Sequence, residues 1–384
     1  MQNTENVKTR KTTYNEVKRV LKQVWTTVTG SSSENEGVEV PSHYKKYTIQ
    51  DRKILLQTPE RQRTQPVTSF DGPENSKRVN LAKPGEEERP LYIANDLTPA
   101  EEQELIALLT EYRDVFAWSY KDLKGVDPAI CQHTIPMKDD VKPTCQRPYT
   151  YNETFAKKIR EEIEKLKEAE FIYEIEHTEW VSPIVVVPKK NGKLRVCVNL
   201  KKVNAATICD SYPLPIAEHV LERVAGKRAY SFLDGYSGYN QVCIKLEDQH
   251  KTTFATEWGI YAYRVMPFGL TNAPTTFKRL MSHAFREYLQ IFLEIYMDDL
   301  CVHSEMHAMH FDHLRKVFDK CRLYKICLNP EKCTFMVRQG KILGHIISQN
   351  GISTDLDKIK VIVELPPPRN AKEVQSFMGH WRVL

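Results

Sequence analysis

The sequence predicts an α+β fold. Three observations predict it: apolar residues at helical spacing before residue 171, β-prone runs joined by turn residues after Trp180, and two further β-prone arms around the acidic pair Asp298-Asp299. The 384-residue chain is long enough for two or three lobes, since domains commonly span roughly 100–200 residues. Its formal net charge of +5 permits a polyanionic partner without requiring one. No secretory leader and no apolar run of membrane-spanning length is recognisable. An intracellular protein with no membrane partner, its nine cysteines mostly reduced, is therefore expected.

Residues 1–90 are polar and weakly patterned, from the stretch Ser31 to Gly37 through to Gly85-Glu86-Glu87-Glu88-Arg89-Pro90. Too few apolar side chains are available there to offset the entropy of ordering, so the segment reads as largely disordered or as a linker. Order is expected to begin near Thr98, where Thr98-Pro99-Ala100-Glu101 combines a helix cap, a first-turn proline and a reciprocal glutamate. Leu105, Leu108, Leu109 and Tyr112 continue the apolar stripe of that helix. A second helix is expected from Glu153 to Glu170, with Phe155, Ile159, Ile163 and Leu166 along one face. Two β-prone runs, Pro183 to Pro188 and Leu194 to Asn199, then flank Lys189-Lys190-Asn191-Gly192-Lys193, and the Asn-Gly pair marks a hairpin. The cations gathered there (Lys189, Lys190, Lys193, Arg195, Lys201, Lys202) suit either a solvated tip or a surface that meets phosphates.

Asp234 ends the stretch Tyr230-Ser231-Phe232-Leu233 and is followed closely by Gly235 and Gly238. A carboxylate in that position is either a simple turn residue or a metal ligand beside a permissive turn. Asp298 and Asp299 lie between two apolar arms, which suits a hairpin turning at Met297-Asp298-Asp299. The pair is either an exposed acidic turn or a cation site, because adjacent carboxylates in water-poor surroundings repel each other. If the two segments pack together, three carboxylates converge. Hard oxygen ligands match Mg2+, and two ions about 4 Å apart would serve an in-line phosphoryl displacement. His303, His307 and His310 have the spacing to share one helical face, with His313 near the next turn. Together with Cys321, Cys327 and Cys333 they lack the short pairs of a zinc site and read as a polar helix and buried thiols.

Six segments in a fixed order carry a resemblance. They are WVSPIVVVPKKNGKLRVCVNLKKVN (Trp180 to Asn204), YPLP (Tyr212 to Pro215), SFLDGYSGYNQV (Ser231 to Val242), VMPFGLTNAPTTF (Val265 to Phe277), IYMDDL (Ile295 to Leu300) and KILGHIIS (Lys341 to Ser348). Together they resemble the reverse transcriptases of long-terminal-repeat retrotransposons, above all the gypsy-type group found in plants. The resemblance implies a right-hand polymerase fold: a helical extension over 91–170 leading into the fingers, a fingers and palm core over 171–352, and a partial thumb or connection over 353–384. It implies an RNA-directed DNA polymerase, a nucleotidyltransferase that uses two Mg2+ ions, with Mn2+ as a substitute. Its partners would be an RNA or DNA template with a primer, and deoxynucleoside triphosphates.

Carried over by position, the resemblance puts the metal-binding carboxylates at Asp234, Asp298 and Asp299, with the backbone carbonyl of Gly235 completing the cage. Tyr239 matches the aromatic that packs under the incoming sugar and excludes a 2′-hydroxyl, although a core tyrosine is the plainer reading of the residue. Lys189, Lys190 and Arg195 match cations that contact the triphosphate. Phe268 and Gly269 match the loop supporting the nucleotide. Tyr296, Met297, Leu343, Gly344 and His345 match the region that positions primer and template, and the last three also read as an ordinary strand and turn. Asn199 stands where the family often has Asp, and Lys201 where Arg is common; neither is a metal ligand. The likeness breaks after Gly379, so a chain cut before the ribonuclease H domain is expected, with that and integrase modules belonging to a parent polyprotein. Two other functions stand beside polymerisation: an inactive nucleic-acid-binding remnant, and an RNA-dependent RNA polymerase, which Tyr296-Met297 and Tyr239 disfavour.

Overall fold

Alternation along single strands decides how the central sheet is packed. The computed structural model describes residues 75–188, 194–354, 362, 365 and 370–381. In chain order the strands begin with β1 (Ser76–Asn80), β2 (Pro90–Ala94), β3 (Gln132–His133), β4 (Ile172–Glu174), β5 (Ser182–Pro188) and β6 (Leu194–Val198). They continue with β7 (Ala229–Asp234), β8 (Cys243–Ile244), β9 (Phe254–Thr256), β10 (Gly259–Tyr263), β11 (Leu293–Tyr296) and β12 (Asp299–Ser304). The last are β13 (Thr334–Val337), β14 (Gln339–Ile342), β15 (His345–Ser348) and β16 (Gly351–Thr354). The helices are α1 (Pro99–Glu111), α2 (Glu153–Glu168), α3 (Lys201–Ala206), α4 (Ala217–Val224), α5 (Leu246–Gln249), α6 (Ala273–Ala284), α7 (His307–Tyr324) and α8 (Ala371–Trp381).

A six-stranded sheet has the order β1-β2-β13-β7-β12-β11. In β12, Leu300 and Val302 join one apolar cluster with Leu109, Leu314 and Phe318, while Cys301 between them joins a second with Val220, Val224 and Tyr230. The sheet is thus buried on both faces, under α1 and α7 on one side and α4 on the other. Each large aliphatic side chain buried in these layers contributes about 1.5–3 kcal/mol. A second sheet, β4-β10-β9-β5-β6, carries the expected hairpin, with Val185 opposite Cys197. Its tip, residues 189–193, lies outside the described residues. A small sheet of β14, β15 and β16 follows.

Both expected helices form. In α1 the Glu101 N–H donates to Thr98 Oγ1 at 3.3 Å and the Thr98 N–H to Glu101 Oε2 at 2.9 Å, a reciprocal cap. In α2 the cap is Asn152, whose Oδ1 accepts the Phe155 N–H at 3.0 Å. Ile159, Ile163 and Leu166 are buried along α2, whereas Phe155 in the first turn is 38% exposed. Two expectations need correction. Regular structure starts upstream of Thr98, because the short run Leu91-Tyr92-Ile93 is held by a parallel partner far along the chain, Tyr92 facing Thr334 and Ile93 facing Phe335. The histidines do not all share a helix: His307, His310 and His313 lie in α7, but His303 belongs to β12, where strand pairing with β7 overrides the helical spacing.

The described residues from 75 to 353 belong to one compact unit, which contains everything above except the end of β16 and α8. The described part of the other unit is chiefly α8, capped by Asn370, whose Oδ1 accepts the Glu373 N–H at 3.0 Å. Among the described residues no helix is long and apolar enough to cross a membrane.

Candidate active site

β7 and β12 run antiparallel in a register that sets Asp234, the last residue of one, directly opposite Asp299, the first of the other. Asp299 also pairs with Tyr296 of β11, so the hairpin turn consists of Met297 and Asp298 alone, one residue shorter than the expected turn. Met297 has φ 56°, the left-handed conformation that a tight two-residue turn demands at its first position and that costs a non-glycine residue about 1–2 kcal/mol. The Gly235 N–H donates to the Asp298 carbonyl at 3.2 Å and ties the turn to the end of β7. Sheet register therefore brings together the three carboxylates that the sequence singles out.

Like charges directly opposite on neighbouring strands destabilise a sheet. One relief is local: Lys332 Nζ donates to both carboxylate oxygens of Asp234, at 3.1 and 3.0 Å. Asp298 has none of its own, and its Oδ1 is buried with no hydrogen-bond partner. Burial, reinforced by Asp234 and Asp299, pushes the Asp298 carboxyl up to about 6. Burial also raises Asp234, against the pull of Lys332, and desolvation with Asp234 raises Asp299 at the open rim. Among the described residues no three His, Cys, Asp or Glu side chains are already posed as a metal cage. The donor set nevertheless fits a hard divalent cation: oxygen ligands on three acidic side chains, one oxygen buried and unsatisfied.

The loop after Asp234 is fastened from below. Gln241 Nε2 donates to the carbonyls of Tyr236 and Cys327, both at 2.9 Å, and its Oε1 accepts the Cys327 N–H at 2.7 Å. A Cβ on Gly238 would stand 3.1 Å from the Phe277 ring and 3.3 Å from Asp298 Oδ1, so glycine lets this loop lie against the carboxylate. Tyr239 is half-buried, its ring 4.9 Å from that of Phe268 and edge-on to Phe277 at 5.7 Å. Its hydroxyl is held above the ordinary phenol range by burial and by Asp298. Phe268 is 40% exposed. The neighbouring Gly269 has φ 101°, and its carbonyl accepts from Asn204 Nδ2 at 2.7 Å.

Tyr296 and Leu343 both pack on the second apolar cluster, on the same side of the sheet. Leu343 and Gly344, with φ 51° and 76°, make the turn between β14 and β15, and His345 Nδ1 is hydrogen-bonded with the Leu343 carbonyl at 3.3 Å. Arg195 lies in β6 opposite Val187; its side chain, like Lys189 and Lys190, is outside the described residues. The sequence pattern offers no structural part for Gln241 or Asn204, nor for the Arg223–Glu294 pair behind β11. In that pair Arg223 Nε and Nη2 donate to Glu294 at 2.7 and 2.9 Å. A glutamate inside the apolar run Ile291 to Ile295 was the one available signal, since a buried carboxylate needs a partner.

Fingers and palm sheets with an acidic cluster at one end of the palm define the class: an α+β right-hand polymerase fold. A foamy viral protease–reverse transcriptase (dRH) in complex with double-stranded DNA superposes with a TM-score of 0.68, at 22% identity, over 75% of this chain and 50% of that one. The family described as "Reverse transcriptase (RNA-dependent DNA polymerase)" matches residues 187–347. The retrovirus-related Pol polyprotein from transposon opus of Drosophila melanogaster is 31% identical, over 78% of this chain and 30% of the relative. That from transposon 412 of the same fly is 32% identical over 71% and 22%. The transposon Tf2-3 polyprotein of Schizosaccharomyces pombe is 32% identical over 51% and 15%. The chain thus carries a reverse-transcriptase domain related to those of retrotransposon and retroviral Pol polyproteins, and it spans 30% or less of the length of these curated relatives.

Proposed function

We propose that this chain is an RNA-directed DNA polymerase of a gypsy-type retrotransposon, adding deoxynucleotides to a primer 3′-hydroxyl on an RNA or DNA template. The observation that carries the reading is the opposition of Asp234 and Asp299 across β7 and β12, with Asp298 in the adjoining turn. Asp234, Asp298 and Asp299, with the Gly235 carbonyl, would hold Mg2+, or Mn2+ in its place. When bound, the cations supply the positive charge that eases ionisation of the primer hydroxyl and balances charge on the departing pyrophosphate. Tyr239, braced by Phe268 and Phe277, would offer a flat face to the incoming sugar and discriminate against a 2′-hydroxyl. Phe268 and Gly269 support the nucleotide, and Lys189, Lys190 and Arg195 meet its triphosphate. Tyr296, Met297, Leu343, Gly344 and His345 position the primer end. Template and primer would be gripped through their backbones, independently of sequence and with strong salt dependence. Ribonuclease H and integrase would come from other modules of a parent polyprotein.

Extension of a primed RNA template by the purified chain tests this. Mg2+-dependent incorporation is expected, abolished by Asp234→Ala. Equal incorporation by that variant would remove the assignment, and primer-template binding without turnover under any metal condition would favour an inactive nucleic-acid-binding remnant.

A further inference from the structure

We infer that Lys332 is a built-in counter-cation for this site: its ammonium holds Asp234 when no divalent cation is bound, and cation binding requires it to let go. The inference rests on the reading of the three carboxylates as a divalent-cation site, and deepens it.

The geometry is that of a stand-in. Lys332 Nζ lies nearly equidistant from the two oxygens of Asp234, at 3.1 and 3.0 Å, and so occupies the face of the carboxylate that a cation would use. The ammonium is a single positive charge with hydrogen-bond donors, suited to a carboxylate that otherwise faces Asp299 across the strands. Of the two partners the lysine is the one free to leave. Its side chain is 61% exposed, against 14% for Asp234.

The anchor of the lysine does not need to move. The Asn329 N–H donates to the Asp234 carbonyl at 2.7 Å, and the N–H groups of Lys332 and Cys333 donate to the Asn329 carbonyl at 3.2 and 3.1 Å. The short turn bearing Lys332 is thus hung on the backbone of the residue whose side chain it neutralises. A rotation about the lysine stem releases Asp234 while the turn stays in place. The arrangement also explains how three carboxylates are tolerated at one sheet end before a cation arrives: Lys332 is a positive charge felt by all three.

Thermal unfolding of the whole chain without nucleic acid, followed against MnCl2 or MgCl2 concentration, tests the inference by a readout other than activity. Wild type should be stabilised saturably by the metal. Lys332→Met should unfold at lower temperature without metal, yet reach half-maximal stabilisation at a roughly two- to fivefold lower metal concentration, the scale of a partly exposed ion pair. Lys332→Arg, which keeps the charge, should need at least as much metal as wild type, and Asp234→Asn should lose most of the response. A Lys332→Met midpoint equal to or above that of wild type overturns the counter-cation role while leaving the metal site standing, provided Asp234→Asn still loses its response. No saturable response in wild type overturns the metal reading and the counter-cation role together.

Discussion

Asp298 combines a buried, unpartnered oxygen with two neighbouring carboxylates, and its protonation follows from that. Its folded value of about 6 lies above the ordinary 3.8. A carboxyl raised on folding contributes stability that is fully present below the ordinary value and is lost as pH rises through the folded one. In metal-free protein this contribution should therefore disappear between about pH 4 and pH 6. Asp298→Asn cannot ionise, so its unfolding temperature relative to wild type should be higher at about pH 7 than at about pH 5. Parallel pH dependence of the two proteins would contradict the perturbation. Cations bind the ionised form, so the metal-induced gain in stability should grow over the same interval in wild type. Tyr239 makes a second prediction at this scale. Its ring is braced by Phe268 and Phe277, and Tyr239→Ala should raise ribonucleotide incorporation relative to deoxynucleotide by at least about tenfold, measured as a ratio of kcat/KM values. An unchanged ratio would return Tyr239 to the status of a core residue.

The element on which the site depends is the β11–β12 hairpin, and its outer strand is held by one ion pair. Glu294 is 3% exposed and receives both hydrogen bonds of the Arg223 fork from α4, while Lys278 Nζ reaches the Ile295 carbonyl at 3.3 Å. Arg223→Ala would leave a buried carboxylate unpaired. A loss of about 3 kcal/mol is expected, the lower end for breaking a buried pair because Arg223 itself is partly exposed. The urea midpoint measures it, and Glu294→Gln combined with Arg223→Ala should recover part of the loss, since no charge is then left buried. Elements of this kind were legible unevenly. α1, α2 and both hairpins follow from local signals: caps, 3.6-residue spacing, an Asn-Gly turn. The spacing places His303 on the helix because only two residues, Glu305 and Met306, separate two different elements there, and periodicity does not see that break.

For the whole molecule, the three aspartates were legible because each is framed by a short local pattern, and the antiparallel register of β7 and β12 then unites them. What stayed hidden depends on distant contacts. Lys332 sits in a polar connector with no periodicity, and its partner is nearly a hundred residues upstream. The run Leu91-Tyr92-Ile93 is too brief to announce a strand, and its partner is β13. That pairing has a consequence for synthesis. Between Ala94 and Thr334 the ribosome must add 240 residues before β2 can meet its parallel neighbour. At roughly 5–20 residues per second this takes about 10–50 s. During that interval one edge of β2, bearing the fully buried Leu91 and Ile93, has its native mate still untranslated. The nascent chain therefore passes through a stage in which an apolar strand edge is open to foreign pairing; charged β1 covers only the opposite edge of β2, so a chaperone is what would shelter this one.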